Sequence, residues 1–221
     1  MPSIQSPGVQ MSLFRARKQD QALEARDEHL RKLEAECRAV QSRLEGTQEL
    51  VRHLDEDRDL LLGALELMRP GGAIQDLAQI LLDISFKPLG LACFFVAAAD
   101  WEEDLLRFVL YHEGGRARNH PSRRLSDRAG LSERVLSGHR SVYMRTMEEG
   151  HAAGSLLTAA EQATGLIPHS WYGVPLGHGK RPIGLVSFQS FQTDAFSESR
   201  RRVMDALVGL MSTCLEARVP I

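Results

Sequence analysis

From about residue 19 to Arg69 the chain has no proline and only two glycines, Gly46 and Gly63, among a dense supply of Glu, Arg, Leu, Ala and Gln. Those residues are strong helix formers, so the segment reads as one long helix. With Leu23 at position a of a heptad, the a and d positions through Met68 are Leu23, Arg26, Leu30, Leu33, Cys37, Val40, Leu44, Thr47, Val51, Leu54, Arg58, Leu61, Leu65 and Met68. Eleven of the fourteen are apolar, which sustains one stripe along the whole segment. A straight helix would carry such a stripe around its surface, whereas a seven-residue repeat keeps it on one side by left-handed supercoiling against a partner helix. A helix lying on its own domain does not fit, because about 50 residues at ~1.5 Å each span roughly 75 Å, more than a small domain offers. The expectation is a coiled-coil dimerisation helix over residues 19–69, with a flexible N-terminus over 1–18.

Arg26, Thr47 and Arg58 interrupt the seam. Polar seam residues fix register and strand number. An arginine there lifts its head to solvent most easily in a two-stranded coil, which favours a homodimer. Parallel and antiparallel pairings both stay open. A parallel pair would set Arg58 beside its mate, with Asp55 and Asp57 to relieve the repulsion, and Cys37 opposite Cys37.

The stretch "RPGGA" at 69–73 stops the helix, since Pro70 disfavours helical geometry at Arg69 and two glycines follow. Beyond it Ile74, Leu77, Leu81 and Ile84 recur at helical spacing. "LACFFVAAAD" and "DLLRFVLYHE", separated by "WEE", read as a hairpin. "LSERVLSGHRSVYM" gives a short helix ending near Gly138 and a strand over 141–144, and "SLLTAAEQATG" is another short helical candidate. Two strands follow around the turn "GHGK" at 177–180, then a final helix that Ser197 caps, with Val203, Leu207, Leu210 and Cys214 on one face. The fold class is α+β: a long N-terminal helix, then an antiparallel sheet with helices on both faces.

Charged residues make up 25% and hydrophobic ones 43%, a globular composition, and a net charge of −2 gives no basic excess for tracking nucleic acid. Cys37, Cys93 and Cys214 are odd in number and far apart, which suits a reducing cytosol. No signal peptide and no run of 18 uncharged apolar residues occurs, so a cytoplasmic protein with no membrane partner is expected.

The segment "GLSERVLSGHRSVYM", followed some thirty residues on by "SWYGVPLGHGKRPIGLVSFQSFQTDAFSESRRRVMDALV", resembles the bacterial GAF domain family. The resemblance covers about residues 72–218. It implies a sensory or regulatory module that binds a small molecule or dimerises and signals through helices. The chain ends just after the last helix, so the expected output acts in trans.

Special versions of that family need their own residues. Cyclic-nucleotide-binding members carry an Asn-Lys pair, and the one asparagine here, Asn119, precedes His120. Bilin-binding relatives use a Cys before a His, whereas Cys93 precedes Phe94. Sulfoxide reductases of this fold cluster their cysteines, which the spacing here does not do. His112, His120, His139, His151, His169 and His178 show no short metal-ligand spacing, and no nucleophile elbow, phosphate loop or dinucleotide fingerprint occurs. The expectation is no enzyme, no metal and an unknown cofactor.

Two candidate sites remain. The loop "RARNHPSRRLSDR" carries Arg116, Arg118, Arg123, Arg124 and Arg128 against Asp127, a set suited to a phosphate or an acidic partner. Strand alternation puts Arg107, Val109 and Tyr111 on one face, and Leu106, Phe108 and Leu110 on the other. The more polar face is expected to line a ligand pocket, with Ser170 and Tyr172, and Ser187 and Gln189, from the later strands. A ligand-sensing dimer and a ligand-free scaffold that docks a protein partner both fit these features.

Overall fold

A computed structural model describes residues 7–127, 130–155, 165 and 167–217 of the chain. The first helix, α1, spans Pro7–Leu67. Proline suits the first helical position, where its missing N–H would have had no partner within the helix. The helix therefore starts well ahead of residue 19, and residues 7–18, expected to be flexible, are helical.

The chain divides into two compact units, Met1–Leu54 and Asp55–Ile221. In the first, the described seam positions Leu23, Leu30, Leu33, Val40, Leu44, Val51 and Leu54 are all exposed. In the second, Leu60, Ala64 and Met68 are buried in the domain core. They recur every four residues, the face of a straight helix packed on a globular body. Leu65, a seam position, is 58% exposed on another side of the same turns. The expected boundary at residue 69 is thus corrected: the last turns of α1 belong to the domain, and Met68 is a core residue.

After the break, α2 (Ile74–Ser85) buries Leu77, Ala78, Leu81 and Leu82. Gly71 sits at φ +77° and donates its N–H to the Cys214 carbonyl at 2.9 Å, so the break is tied to the end of the chain's last helix.

Next come β1 (Cys93–Asp100), β2 (Leu105–Glu113), β3 (Arg116–Ala117), β4 (Arg123–Arg124), α3 (Leu131–Gly138), β5 (Val142–Met144), α4 (Met147–Ala152), β6 (Ser170–Leu176), β7 (Gly184–Ser190) and α5 (Glu198–Glu216). The described strands form one antiparallel sheet in the order β3-β2-β1-β7-β6-β5, with β4 also on β2. The two short strands β3 and β4 and the helix α4 were not expected from the sequence. The candidate helix "SLLTAAEQATG" falls largely outside the described residues.

Each face of the sheet buries its own cluster. One holds Phe94, Val96, Tyr172, Val174, Val186 and Phe188 against α2, α5 and the end of α1. The other holds Phe95, Ala97, Leu106, Tyr111, Trp171 and Leu185 against α3. The Ser197 hydroxyl accepts from the Arg200 N–H at 3.3 Å, the expected cap of α5. Gly184 is needed where β7 meets β1, because a Cβ there would lie 2.1 Å from the Ala97 carbonyl oxygen.

Candidate functional site

The face under α3 carries a cleft of about 120 Å³. Its floor is aromatic: Phe95 from β1, Phe108 and Tyr111 from β2, and Trp171 from β6, with Gln189 from β7 beside them. Its roof comes from the first turn of α3, His120 of the loop before β4, Arg123 of β4, and Gly154 and Ser155 after α4.

A bulge sets which β2 residues reach this floor. Val96 pairs with Leu110 and Ala97 with Phe108, leaving Val109 as an extra residue on β2. One added residue flips the alternation beyond it. Leu106 and Phe108 before the bulge therefore share a face with Tyr111 after it. The Phe95 and Tyr111 rings stack at 5.7 Å and 5°, and Phe108 meets Phe95 edge-on at 5.3 Å. This corrects the expected grouping. Arg107 points away from the floor, with its side chain half exposed and 3.4 Å from the Asp100 carboxylate.

On the other strands, Ser187 is fully buried and accepts a hydrogen bond from the Gln189 side-chain amide at 3.1 Å. Ser170 donates to the Gln192 carbonyl at 2.8 Å and borders a smaller adjoining cleft of about 50 Å³, which shares Trp171 and Gln189 with the first. Tyr172 is placed on the opposite face. Its hydroxyl donates to Asp205 of α5 at 2.8 Å, it packs in the helix-side core, and burial pushes its phenol above the ordinary value. Expecting Tyr172 at a pocket failed because its hydroxyl served a partner on the final helix, while the adjacent Trp171 took the cleft. One signal for Trp171 was Gly173, two residues on and on the same face.

Of the loop's described arginines, only Arg123 is in the cleft lining, where it forms a largely buried ion pair with Glu133. Glu133 also accepts from the Gly130 N–H at 3.1 Å, which holds the start of α3. Arg116 and Arg124 are exposed, and Arg118 lies 3.8 Å from Glu113. Pairing of β3 and β4 with β2 separates these side chains, so the described arginines do not form one anion cradle. Arg128 lies outside the described residues. His120, which has no short metal-ligand spacing in the sequence, has its ring 4.0 Å from Phe108 and 5.0 Å from Tyr111.

Among the described residues, no group of three or more His, Cys, Asp or Glu is placed to hold a metal, and no helix is long and apolar enough to cross a membrane. Cys93 is buried, and no cysteine is among the cleft's described lining residues.

The profile of the GAF domain family matches residues 73–216. No curated protein shows significant similarity to the chain. Similar solved structures include the GAF domain of an Acinetobacter phosphoenolpyruvate-protein phosphotransferase, 18% identical with a TM-score of 0.57 over 76% of this chain and 96% of that one. The A. aeolicus nlh2 GAF domain in an inactive state is 12% identical, with a TM-score of 0.57 over 76% of this chain and 99% of that one. The free methionine-R-sulfoxide reductase of Neisseria meningitidis, in complex with its substrate, is 16% identical, with a TM-score of 0.57 over 73% of this chain and 89% of that one. At these identities the likeness shows the fold. The reductase overturns the expectation that the chain is not an enzyme, because catalysts share this fold at the same level of similarity as regulatory domains. With the profile matched over most of its length and the sheet, the α3 cleft and the packed last helix in place, the chain belongs to the GAF domain family.

Proposed function

We propose that the protein is a dimeric regulatory module in which a small molecule bound in the α3 cleft biases the long helix α1. One observation carries this reading: α1 bears an exposed leucine seam, and its last turns place Leu60, Ala64 and Met68 in the domain core. That core and the cleft lie on opposite faces of the same strands, so a change in cleft packing is felt by residues against which α1 packs. The seam is of the kind that a second copy of the chain buries. GAF domains are commonly sensor or regulatory domains, and the output here would be a partner in trans.

A ligand-free scaffold is the second reading, favoured by the small cleft volume and by His120 standing over its aromatic floor. A thermal-shift screen of nucleotides, 2-oxo acids and aromatic metabolites separates the two. A true ligand raises the melting temperature of the wild type and loses that effect in Trp171→Ala. If no compound shifts the wild type, the scaffold stands instead.

A further inference from the structure

We infer that the cleft takes a small planar heteroaromatic ring, bound in the place that the His120 imidazole occupies here. This rests on the reading of the cleft as a ligand site, and it names what that site selects. Within residues 114–122 every side chain is exposed except His120, which is turned inward. Its ring stacks on Tyr111 at 5.0 Å and 29° and lies 4.0 Å from Phe108, while Tyr111 stacks in turn on Phe95. The imidazole is thus the outermost layer of an aromatic stack rooted in the sheet, a geometry worth more than area burial alone.

Three features make His120 an exchangeable occupant. Its Nδ1 lies 3.1 Å from the carbonyl of Pro121, so that contact stays within its own loop. The loop hangs between the two-residue strands β3 and β4, so few ladder bonds oppose its swinging out. The space beside the ring, about 120 Å³, is well under the ~300 Å³ at the low end for ligand pockets, so a ligand of that class must take the ring's place as well. Around the position stand a buried amide, Gln189, and the Arg123–Glu133 pair. These offer donors and acceptors to the edge of a ring whose faces are held by stacking. An aliphatic ligand of equal size would forgo the stack, and a purely hydrocarbon ring would make no hydrogen bond to those groups.

Imidazole itself is the probe, titrated calorimetrically into the full chain as wild type, His120→Gly and His120→Phe. The glycine variant should bind imidazole saturably and about tenfold or more tightly than the wild type, the scale of one aromatic contact. The phenylalanine variant, which refills the space, should not bind it. Equal titrations of wild type and His120→Gly would overturn the inference. So would loss of cooperative melting in both His120→Gly and His120→Ala, which would make the ring a structural wedge. A compound that stabilises the wild type while imidazole fails on His120→Gly would refute the ring inference alone and leave the ligand reading of the cleft intact.

Discussion

The Trp171 indole lies across the backbone of Gly173, so close that a Cβ on the glycine would sit 2.0 Å from the ring. The cleft floor therefore depends on a missing side chain two residues along the same strand. Gly173→Ala should tilt the indole off the floor, with an overpacking cost of roughly 1–3 kcal/mol. For a domain of this size the melting temperature should fall by roughly 2–4 °C per kcal/mol. Tryptophan fluorescence should shift as Trp171 moves. An unchanged spectrum and melt would show that the ring has another resting place.

Tyr172→Phe should act on stability and leave the cleft alone. It removes the hydrogen bond to Asp205, which still accepts from Ser141 at 2.8 Å, so a loss of about 0.5–1.5 kcal/mol is expected. Chemical denaturation reads the loss. Any cleft ligand should bind the variant as it binds the wild type, and weakened binding would put Tyr172 back on the ligand face.

His112 sets an acid limit on stability. Its Nδ1 is buried with no hydrogen-bond partner among the described residues, and its ring meets Phe86 edge-on at 4.6 Å. Burial lowers its pKa below the ordinary histidine value, opposed by the nearby Asp83, with Lys87 on the same groove. The unfolded chain thus binds this proton more readily than the folded one. Its contribution is fully present above the ordinary value and is lost as pH falls toward the lowered folded value. Melting temperature should drop between about pH 7 and 5, and His112→Phe should flatten that part of the profile. A variant with the same slope as the wild type would assign the acid sensitivity elsewhere.

The two stretches of α1 should respond differently to the same change. Leu60→Asp places a charge in a position 5% exposed and should cost the domain several kcal/mol. Leu44→Asp, at a position 56% exposed, should leave the domain's melt unaltered and weaken self-association. Equal melting losses would mean that both positions pack in the folded chain.

Elements with strong local signals were legible in the sequence. The proline-free long helix, the "RPGGA" break, the Ser197 cap and the alternating hairpins each carry their cause within a few residues, and the structure has them. The domain-facing stripe Leu60, Ala64 and Met68 was not legible, because a heptad count cannot separate a seam from an adjacent packed face. The cleft was half legible. Tyr111 and Gln189 followed from alternation, but the extra residue at Val109 reset the face of β2, and a bulge is fixed by pairing across strands. The stacking of His120 was not legible, because its ring partners lie on a strand that the sequence does not place under its loop.

Self-association through the exposed seam is the most direct test of the proposed module, read by sedimentation equilibrium of the full chain and of Leu30→Glu/Leu44→Glu. The wild type should sediment at twice the chain mass of 24.6 kDa and the double variant at that mass, both with the same domain melting temperature. A monomeric wild type, or a double variant that dimerises as tightly as the wild type, would contradict a dimer built on α1.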